Sequence, residues 1–176
     1  MDQFDELTLA ALRARAGDRH AAGEFVRRSQ ADVWRLCAHL GSRADADDLT
    51  QETYARAFGS LHRFAGRSSA RTWLLSIARR TCADAIRSRR PVSPVAEVEP
   101  AGHGADPAET VGLRLLLDSL DGAFREAFVL TQVLGLSYPE AADVAGCPVG
   151  TIRSRVARAR DALVAGLGDG RQRRTS

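Results

Sequence analysis

The sequence predicts an all-α protein with two small helical domains, an amino-terminal helical bundle and a carboxy-terminal helix-turn-helix domain, joined by a flexible linker. Apolar residues recur with a helical period on both sides of residues 91–109, and no stretch alternates as a half-buried strand would. Residues 91–109 carry four prolines and no apolar period. The predicted boundaries are 1–90 for the first domain, 91–112 for the linker and 113–170 for the second domain.

Four helices are predicted before the linker. Asp18 can cap the second helix, Asp45 or Asp47 the third, and Ser68 or Ser69 the fourth. The apolar positions that define the four helices are, in order, Leu7, Leu9, Ala11 and Leu12; Phe25, Val33, Leu36 and Leu40; Leu49, Thr53, Ala57 and Leu61; and Trp73, Ile77 and Ile86, with the fourth helix running on to Arg90.

Two further helices, over residues 111–120 and 124–134, are predicted after the linker. The next helix has a well-marked start, because Ser137 and Glu140 form a capping-box pattern and Pro139 lies in the first turn. These signals predict a short helix that begins directly after Ser137.

That short helix stops at Gly146 and Pro148 opens the last helix, which together give the helix-turn-helix pattern. On a helical wheel, Ser154 and Arg158 of the last helix point away from its apolar stripe. This layout fits a helix in a DNA major groove, with a solvated arginine face as the alternative. The apolar stripe is formed by Ile152, Val156, Ala159 and Leu163, and the flanks by Arg153, Arg155 and Arg160.

Charge is unevenly distributed, although the net charge is only +3 and all 25 basic residues are arginine. Residues 65–90 hold seven arginines and one acid, whereas residues 91–112 hold four acids and no arginine. The longest apolar runs are far shorter than the about 20 residues that span a membrane. Residues 1–18 lack the basic start of a secretory signal, so we expect a cytoplasmic protein without membrane insertion.

The three cysteines, Cys37, Cys82 and Cys147, are far apart and have no histidine at a metal-ligand spacing. We therefore expect buried or idle thiols, no metal and no cofactor. A DNA-processing enzyme would need a nucleophile or a metal site, and the sequence contains no carboxylate cluster suited to magnesium.

Three stretches in order along the chain resemble bacterial RNA polymerase sigma factors of the extracytoplasmic-function class, with the actinobacterial sigma-C-like type as the expected subgroup. Residues 137–163, which include CPVGTIRSR, resemble the region that reads the minus-35 element. The stretch DADDLTQETYARAF, residues 45–58, is similar to the helix that binds the polymerase beta-prime subunit. The stretch FAGRSSARTWLLSIARR, residues 64–80, resembles the loop and helix that melt and read the minus-10 element.

The resemblance implies the residues of each interface. Core-polymerase contacts are expected at Asp47, Asp48, Leu49, Gln51, Glu52, Tyr54 and Phe58. Minus-35 contacts are expected at Thr151, Arg153, Ser154, Arg155, Ala157, Arg158 and Arg160. Minus-10 contacts are expected at Phe64, Arg67, Ser68, Ser69, Arg71, Arg79 and Arg80, because arginines with nearby aromatic rings suit single-stranded nucleic acid.

Some positions have a second interpretation or depart from the family pattern. The acids of residues 45–52 also favour a helix start by themselves. Trp73 lies on the apolar side of its helix, which favours a core role. The pocket for an extruded base, which the resemblance implies, is therefore expected in residues 65–69. Arg67 stands where the family often has an acid, Arg80 where it often has asparagine, and Ala157 where a larger side chain is common. We therefore expect the general activity of the family, but we do not transfer the promoter sequences of relatives to this chain.

The resemblance implies a non-enzymatic promoter-specificity subunit. Its partners are core RNA polymerase, through the beta-prime and beta subunits, promoter DNA and an anti-sigma factor. The acidic linker is either a solvated spacer or the occupant of a basic polymerase channel. The competing interpretation is a stand-alone helix-turn-helix regulator, which explains residues 137–163 but leaves the other two motifs as coincidences.

Overall fold

A computed structural model describes residues 4–88 and 107–172, and all regular secondary structure in these two stretches is helical, which confirms the all-α prediction. The first stretch contains α1 (Glu6–Arg15), α2 (Arg19–Leu40), α3 (Ala46–Ser60), a 3-10 turn (Leu61–Arg63) and α4 (Ala70–Ser88). The second contains α5 (Pro107–Asp118), α6 (Gly122–Phe128), a π-helical turn (Val129–Val133), α7 (Tyr138–Ala145) and α8 (Val149–Gln172). No helix in the described part of the chain is long and apolar enough to cross a membrane.

Side-chain caps fix the starts of several helices. Asp18 accepts a hydrogen bond from the Ala21 amide at 3.0 Å, which confirms the predicted cap of α2. The Ser69 hydroxyl accepts one from the Thr72 amide at 3.1 Å, so Ser69 rather than Ser68 caps α4. These bonds satisfy first-turn amides that have no partner inside their own helix.

The core of the first domain is formed by the predicted apolar positions. Phe25, Val33 and Leu36 of α2 are fully buried. The predicted positions of α3 and the residue that follows it are also buried, namely Leu49, Thr53, Ala57 and Leu61. Ile86, near the end of α4, is instead 54% exposed. The predicted end of this helix, Arg90, lies outside the described residues.

Helix α5 begins at Pro107, earlier than the predicted start at residue 111. Proline suits the first helical turn because its missing amide would have no intrahelical acceptor there. Residues 107–112 of the predicted linker are therefore helical, and residues 91–106 lie outside the described residues.

The helix-turn-helix of the second domain follows the predicted signals closely. The Ser137 hydroxyl and the Glu140 carboxylate form the complete capping box at the start of α7. Gly146 ends this helix in the left-handed conformation, with φ +65°. The α8 stripe of Ile152, Val156, Ala159 and Leu163 is buried, as predicted.

The two domains pack against each other, which the sequence did not predict. Helix α4 contacts α7, α2 contacts α6, and one apolar core continues from the first domain into the second. The packing brings Leu74 and Leu75 of α4 into the same buried cluster as Leu130 and Ala141. This arrangement decides which of the predicted DNA-binding residues are accessible.

Candidate DNA and polymerase interfaces

Helix α8 presents a polar face to solvent. Its buried stripe faces the preceding helices, and Ser154, Ala157 and Arg158 on the opposite side are exposed. Within residues 4–88 and 107–172, Arg158 has no ion pair or side-chain hydrogen bond, so its guanidinium is available to a ligand. Thr151 is half-buried, and its carbonyl accepts a hydrogen bond from the Ser154 hydroxyl at 3.0 Å.

The flanking arginines of α8 are each held by a neighbouring side chain. The Arg153 guanidinium lies 6.0 Å from the ring centre of Tyr138. Arg160 donates a hydrogen bond to the Gln132 side-chain oxygen at 2.9 Å. Sequence reasoning missed Tyr138 and Gln132 because neither belongs to α8.

Arg155 lies on the other flank, with a guanidinium nitrogen 3.8 Å from the Cys147 sulfur. Cys147 is half-buried at the turn between α7 and α8. The other two thiols lie in the core of the first domain, where a hydrogen bond to Cys37 and burial raise the pKa of Cys82.

The loop of residues 65–69, called the capture loop below, connects the 3-10 turn to α4. Arg67 and Ser68 are exposed, whereas Ser69 is half-buried and caps α4. Phe64, which precedes the loop, is only 3% exposed and packs on Trp73 with ring centres 4.9 Å apart. In this arrangement Phe64 therefore has no open ring face for a nucleobase, and it packs in the core directly before the loop.

The predicted DNA-binding arginines of α4 differ in accessibility. Arg79 forms an ion pair with Glu126 of α6, whose side chain is only 12% exposed. Arg80, the next residue, is exposed. The packing of the two domains therefore engages the Arg79 guanidinium, although its side chain stays 34% exposed, and leaves Arg80 exposed.

Arg71, at the start of α4, is held by two parts of the chain. It donates a hydrogen bond to Asp32 of α2 at 2.8 Å and another to the Leu134 carbonyl of the second domain at 2.5 Å. Arg71 thus ties α2, α4 and the second domain together in this arrangement.

A basic groove of about 440 Å³ lies between α3 and α4. Arg56 and Arg87 pair with Asp84 on this surface, and the hydrogen bond from Arg56 holds the pKa of the Asp84 carboxyl below its ordinary value. The groove is lined by Arg56, Ser60, Ile77, Arg79, Arg80, Ala83, Asp84 and Arg87.

The predicted polymerase-binding residues divide into an exposed set and a buried set. The exposed set consists of Asp47, Asp48, Gln51, Glu52 and Phe58. Leu49 is 7% exposed and belongs to the core. Tyr54 is half-buried, its hydroxyl lies 2.7 Å from that of Ser29, and burial raises its pKa.

Trp34 of α2 is half-buried and lies beside the exposed set. Its indole nitrogen donates a hydrogen bond to Asp47 at 2.8 Å, and the Arg43 guanidinium lies 5.5 Å from its ring centre.

In the described ranges 4–88 and 107–172, no group of three or more His, Cys, Asp and Glu side chains could hold a metal ion.

Comparison with protein-family models places two known domains on this chain. The model described as Sigma-70 region 2 matches residues 25–92, and the model described as Sigma-70, region 4 matches residues 111–163. The first match includes α3, the capture loop and α4, and the second includes α7 and most of α8.

Curated relatives match over nearly the whole chain. The ECF RNA polymerase sigma factor SigC of Mycobacterium tuberculosis is 48% identical over 168 residues, covering 92% of this chain and 91% of the relative. The ECF RNA polymerase sigma-E factor of Haemophilus influenzae is 32% identical over 179 residues, covering 90% of this chain and 95% of the relative.

Solved structures show the same arrangement of helices. CnrH in complex with the cytosolic domain of CnrY has a TM-score of 0.77 and 31% identity, covering 94% of this chain and 99% of CnrH. The sigma factor RpoE in complex with the anti-sigma factor NepR, from Bartonella quintana, has a TM-score of 0.73 and 29% identity, covering 83% of this chain and 96% of RpoE.

Proposed function

This chain belongs to the sigma-70 family, as an RNA polymerase sigma factor of the extracytoplasmic-function class, and we propose how its residues direct core polymerase to promoters. The exposed polar face of α8 is the observation that carries the proposal. It leaves Arg158 without a partner among the described residues and Ser154 exposed, while the apolar stripe anchors the helix.

Helix α8 reads the minus-35 element in the major groove. Arg158 lies on the exposed face of α8 and contacts a base edge, where arginine binds guanine bidentately. Arg153, Arg155 and Arg160 lie on the flanks and contact the two phosphate backbones, and Thr151, Ser154 and Ala157 complete the surface. The neighbours that hold the flanking guanidinium groups reduce the entropy lost on binding.

The capture loop and α4 bind the melted minus-10 strand. Arg67 and Ser68 of the loop and Arg80 of α4 are already exposed. Arg79 loses its ion pair with Glu126 when the second domain moves away. Arg71 then loses its bond to the Leu134 carbonyl but keeps its ion pair with Asp32 of α2. Separation of the two domains on the polymerase therefore completes the minus-10 surface.

The exposed face of α3 binds the beta-prime subunit of core polymerase. Asp48 and Gln51 form its centre, with Asp47 and Glu52 beside them. Phe58, 40% exposed, supplies an apolar contact at the far end of the helix. Leu49 and Tyr54 contribute indirectly, because they hold α3 in the core.

The protein itself catalyses no reaction, and polymerase supplies the chemistry of transcription in the cytoplasm. The energy of strand opening, a few kcal/mol per unstacked step, is offset by base capture and backbone contacts within the holoenzyme. An anti-sigma factor is a further partner, by analogy with the Bartonella sigma factor that was solved with one.

Run-off transcription with core polymerase on genomic DNA, followed by sequencing of the start sites, tests the function directly. We expect a set of transcripts that appear only with this protein and share upstream elements. Charge reversal by Asp48→Arg should abolish these transcripts and weaken polymerase binding, whereas Glu24→Arg on α2 should not. Unchanged transcription with Asp48→Arg would show that the α3 assignment is wrong.

A gel shift without core polymerase separates this function from that of a stand-alone regulator. The covered α4 surface favours weak binding by the free chain, because Arg71 and Arg79 are engaged elsewhere. Strong and specific binding to promoter duplex by the purified protein alone, with no retention of polymerase in a pull-down, would favour the regulator.

A further inference from the structure

Helix α1 lies before residue 25, where the match to the Sigma-70 region 2 model begins. It nevertheless contacts α4 and the 3-10 turn, the two elements that border the capture loop. Its side chains reach both ends of that loop.

Thr8 holds the carboxy-terminal end of the loop. The Ala70 amide, in the first turn of α4, donates a hydrogen bond to the Thr8 hydroxyl oxygen at 2.9 Å, and both residues are fully buried. The same hydroxyl donates to Asp5 at 2.8 Å, which orients its lone pairs toward Ala70. A buried first-turn amide without this partner would be left unsatisfied.

Arg15 holds the amino-terminal end of the loop. Its guanidinium donates a hydrogen bond to the Phe64 carbonyl at 2.7 Å, across 49 residues of sequence. Between the two ends, Gly66 takes a left-handed conformation with φ +68°. A Cβ atom at Gly66 would lie 3.4 Å from the ring of Phe4, so the residues just before α1 also border the loop.

We infer that α1 supports the capture loop, with Thr8 and Arg15 as positioning residues for binding of the minus-10 strand. This inference rests on the proposed function of the loop. Binding to a loop whose two ends are already fixed loses less conformational entropy than binding to a free one. Thr8 is fully buried and therefore cannot touch DNA, whereas Arg15 is exposed and is assigned its role through its bond to the Phe64 carbonyl.

The central test replaces the Thr8 hydroxyl by a methyl group of similar size. Thr8→Val should weaken binding of holoenzyme to a fork-junction DNA with a single-stranded minus-10 element by about tenfold, because the Ala70 amide loses its acceptor. The DNA is taken from a promoter mapped by run-off transcription and carries 2-aminopurine in the minus-10 element. Thr8→Ser keeps the hydroxyl, so holoenzyme with this variant should bind the fork-junction DNA within about twofold of the parent protein.

Thr53 provides the matched control. It is also fully buried in the first domain, but its hydroxyl donates to the Leu49 carbonyl of its own helix at 2.7 Å. Thr53→Val therefore removes the same group at the same burial without changing a contact of the loop. Equal weakening by both valine variants would show a general loss of stability and overturn the inference, as would parent-like binding by Thr8→Val.

A variant of the loop itself separates the inference from the function on which it rests. Arg67→Ala should weaken fork-junction binding without changing polymerase affinity. If Arg67→Ala weakens binding and Thr8→Val does not, only the role of α1 is wrong. If neither variant has an effect, the assignment of the capture loop falls together with that of α1. Arg15→Gln should weaken binding by about threefold and leave polymerase affinity unchanged.

Discussion

The two arginine-bearing helices proposed to bind promoter DNA, α4 and α8, differ in the partners of their guanidinium groups in the free protein. In α8, Arg158 points into solvent and has no ion-pair partner among the described residues. In α4, Arg79 pairs with Glu126 and Arg71 bonds to the Leu134 carbonyl, both in the other domain. The minus-35 helix is thus ready to bind, whereas the minus-10 helix is partly occupied.

The difference shows that the presence of an arginine on a helix does not determine whether its guanidinium is accessible. The arginines of both helices suit nucleic acid equally well by charge and geometry. Which of them is available depends on the elements that pack nearby, and α6 and α7 pack against the first domain. The proposed separation of the domains on polymerase would therefore be needed to complete the minus-10 surface.

The largest expected effect is on promoter binding by α8. Arg158→Ala should weaken binding of holoenzyme to promoter duplex by about 1 to 3 kcal/mol and relax the preference at one minus-35 position. Competition between duplexes that differ at single minus-35 positions measures both quantities. If the loss is equal for every sequence, Arg158 contacts the backbone rather than a base.

Local signals made α8 and its surroundings predictable. The capping box of Ser137 and Glu140, the stop at Gly146 and the buried stripe of α8 each depend on residues within a few positions. A helical wheel was sufficient to place Ser154 and Arg158 on the outer face.

Long-range packing made the α4 surface unpredictable. Arg79 and Glu126 are 47 residues apart across the linker, so no local pattern could pair them. Phe64 was expected at the DNA surface but is buried against Trp73, because α1 and α4 close over it. The hydrogen bond between Thr8 and Ala70, which are 62 residues apart, could not be predicted from a local sequence pattern either.

The next effect concerns the ion pair between the domains. Glu126→Gln leaves Arg79 partly buried without a charged partner and should destabilise the closed packing by about 1 to 2 kcal/mol, since Arg79 remains one third exposed. The free chain should then bind single-stranded minus-10 DNA more tightly, as measured by fluorescence anisotropy.

Glu24→Gln is the matched control for that experiment. It changes the net charge by the same amount, but Glu24 pairs with Arg28 inside the first domain. Equal gains in DNA binding by both variants would mean that net charge, not domain separation, is responsible.

A smaller effect is expected on the stability of the helix-turn-helix. Ser137→Ala removes the cap of α7 and should lower the free energy of unfolding by about 1 kcal/mol. Hydrogen bonds from the Ser137 side chain and backbone lower the pKa of Glu140, so this stabilisation is present at neutral pH and is lost as the pH falls through the folded-state pKa. The difference in Tm between the variant and the parent protein should therefore shrink below about pH 4. A difference that stays constant down to pH 3 would contradict the role of the Glu140 carboxylate.

The smallest effect separates backbone contacts from base contacts within α8. Arg160→Ala should weaken binding by about threefold on all promoters and reduce the slope of log K against log salt by about 0.9, because one phosphate contact is lost. Gln132→Ala leaves the Arg160 charge in place but removes the oxygen that holds it, so affinity should fall slightly with the slope unchanged. In the Arg160→Ala background, Gln132→Ala should have no further effect, because Gln132 acts through that guanidinium. Additive losses in the double variant would mean that Gln132 contacts DNA itself, and the minus-35 surface would then extend beyond α8 onto the π-helical turn.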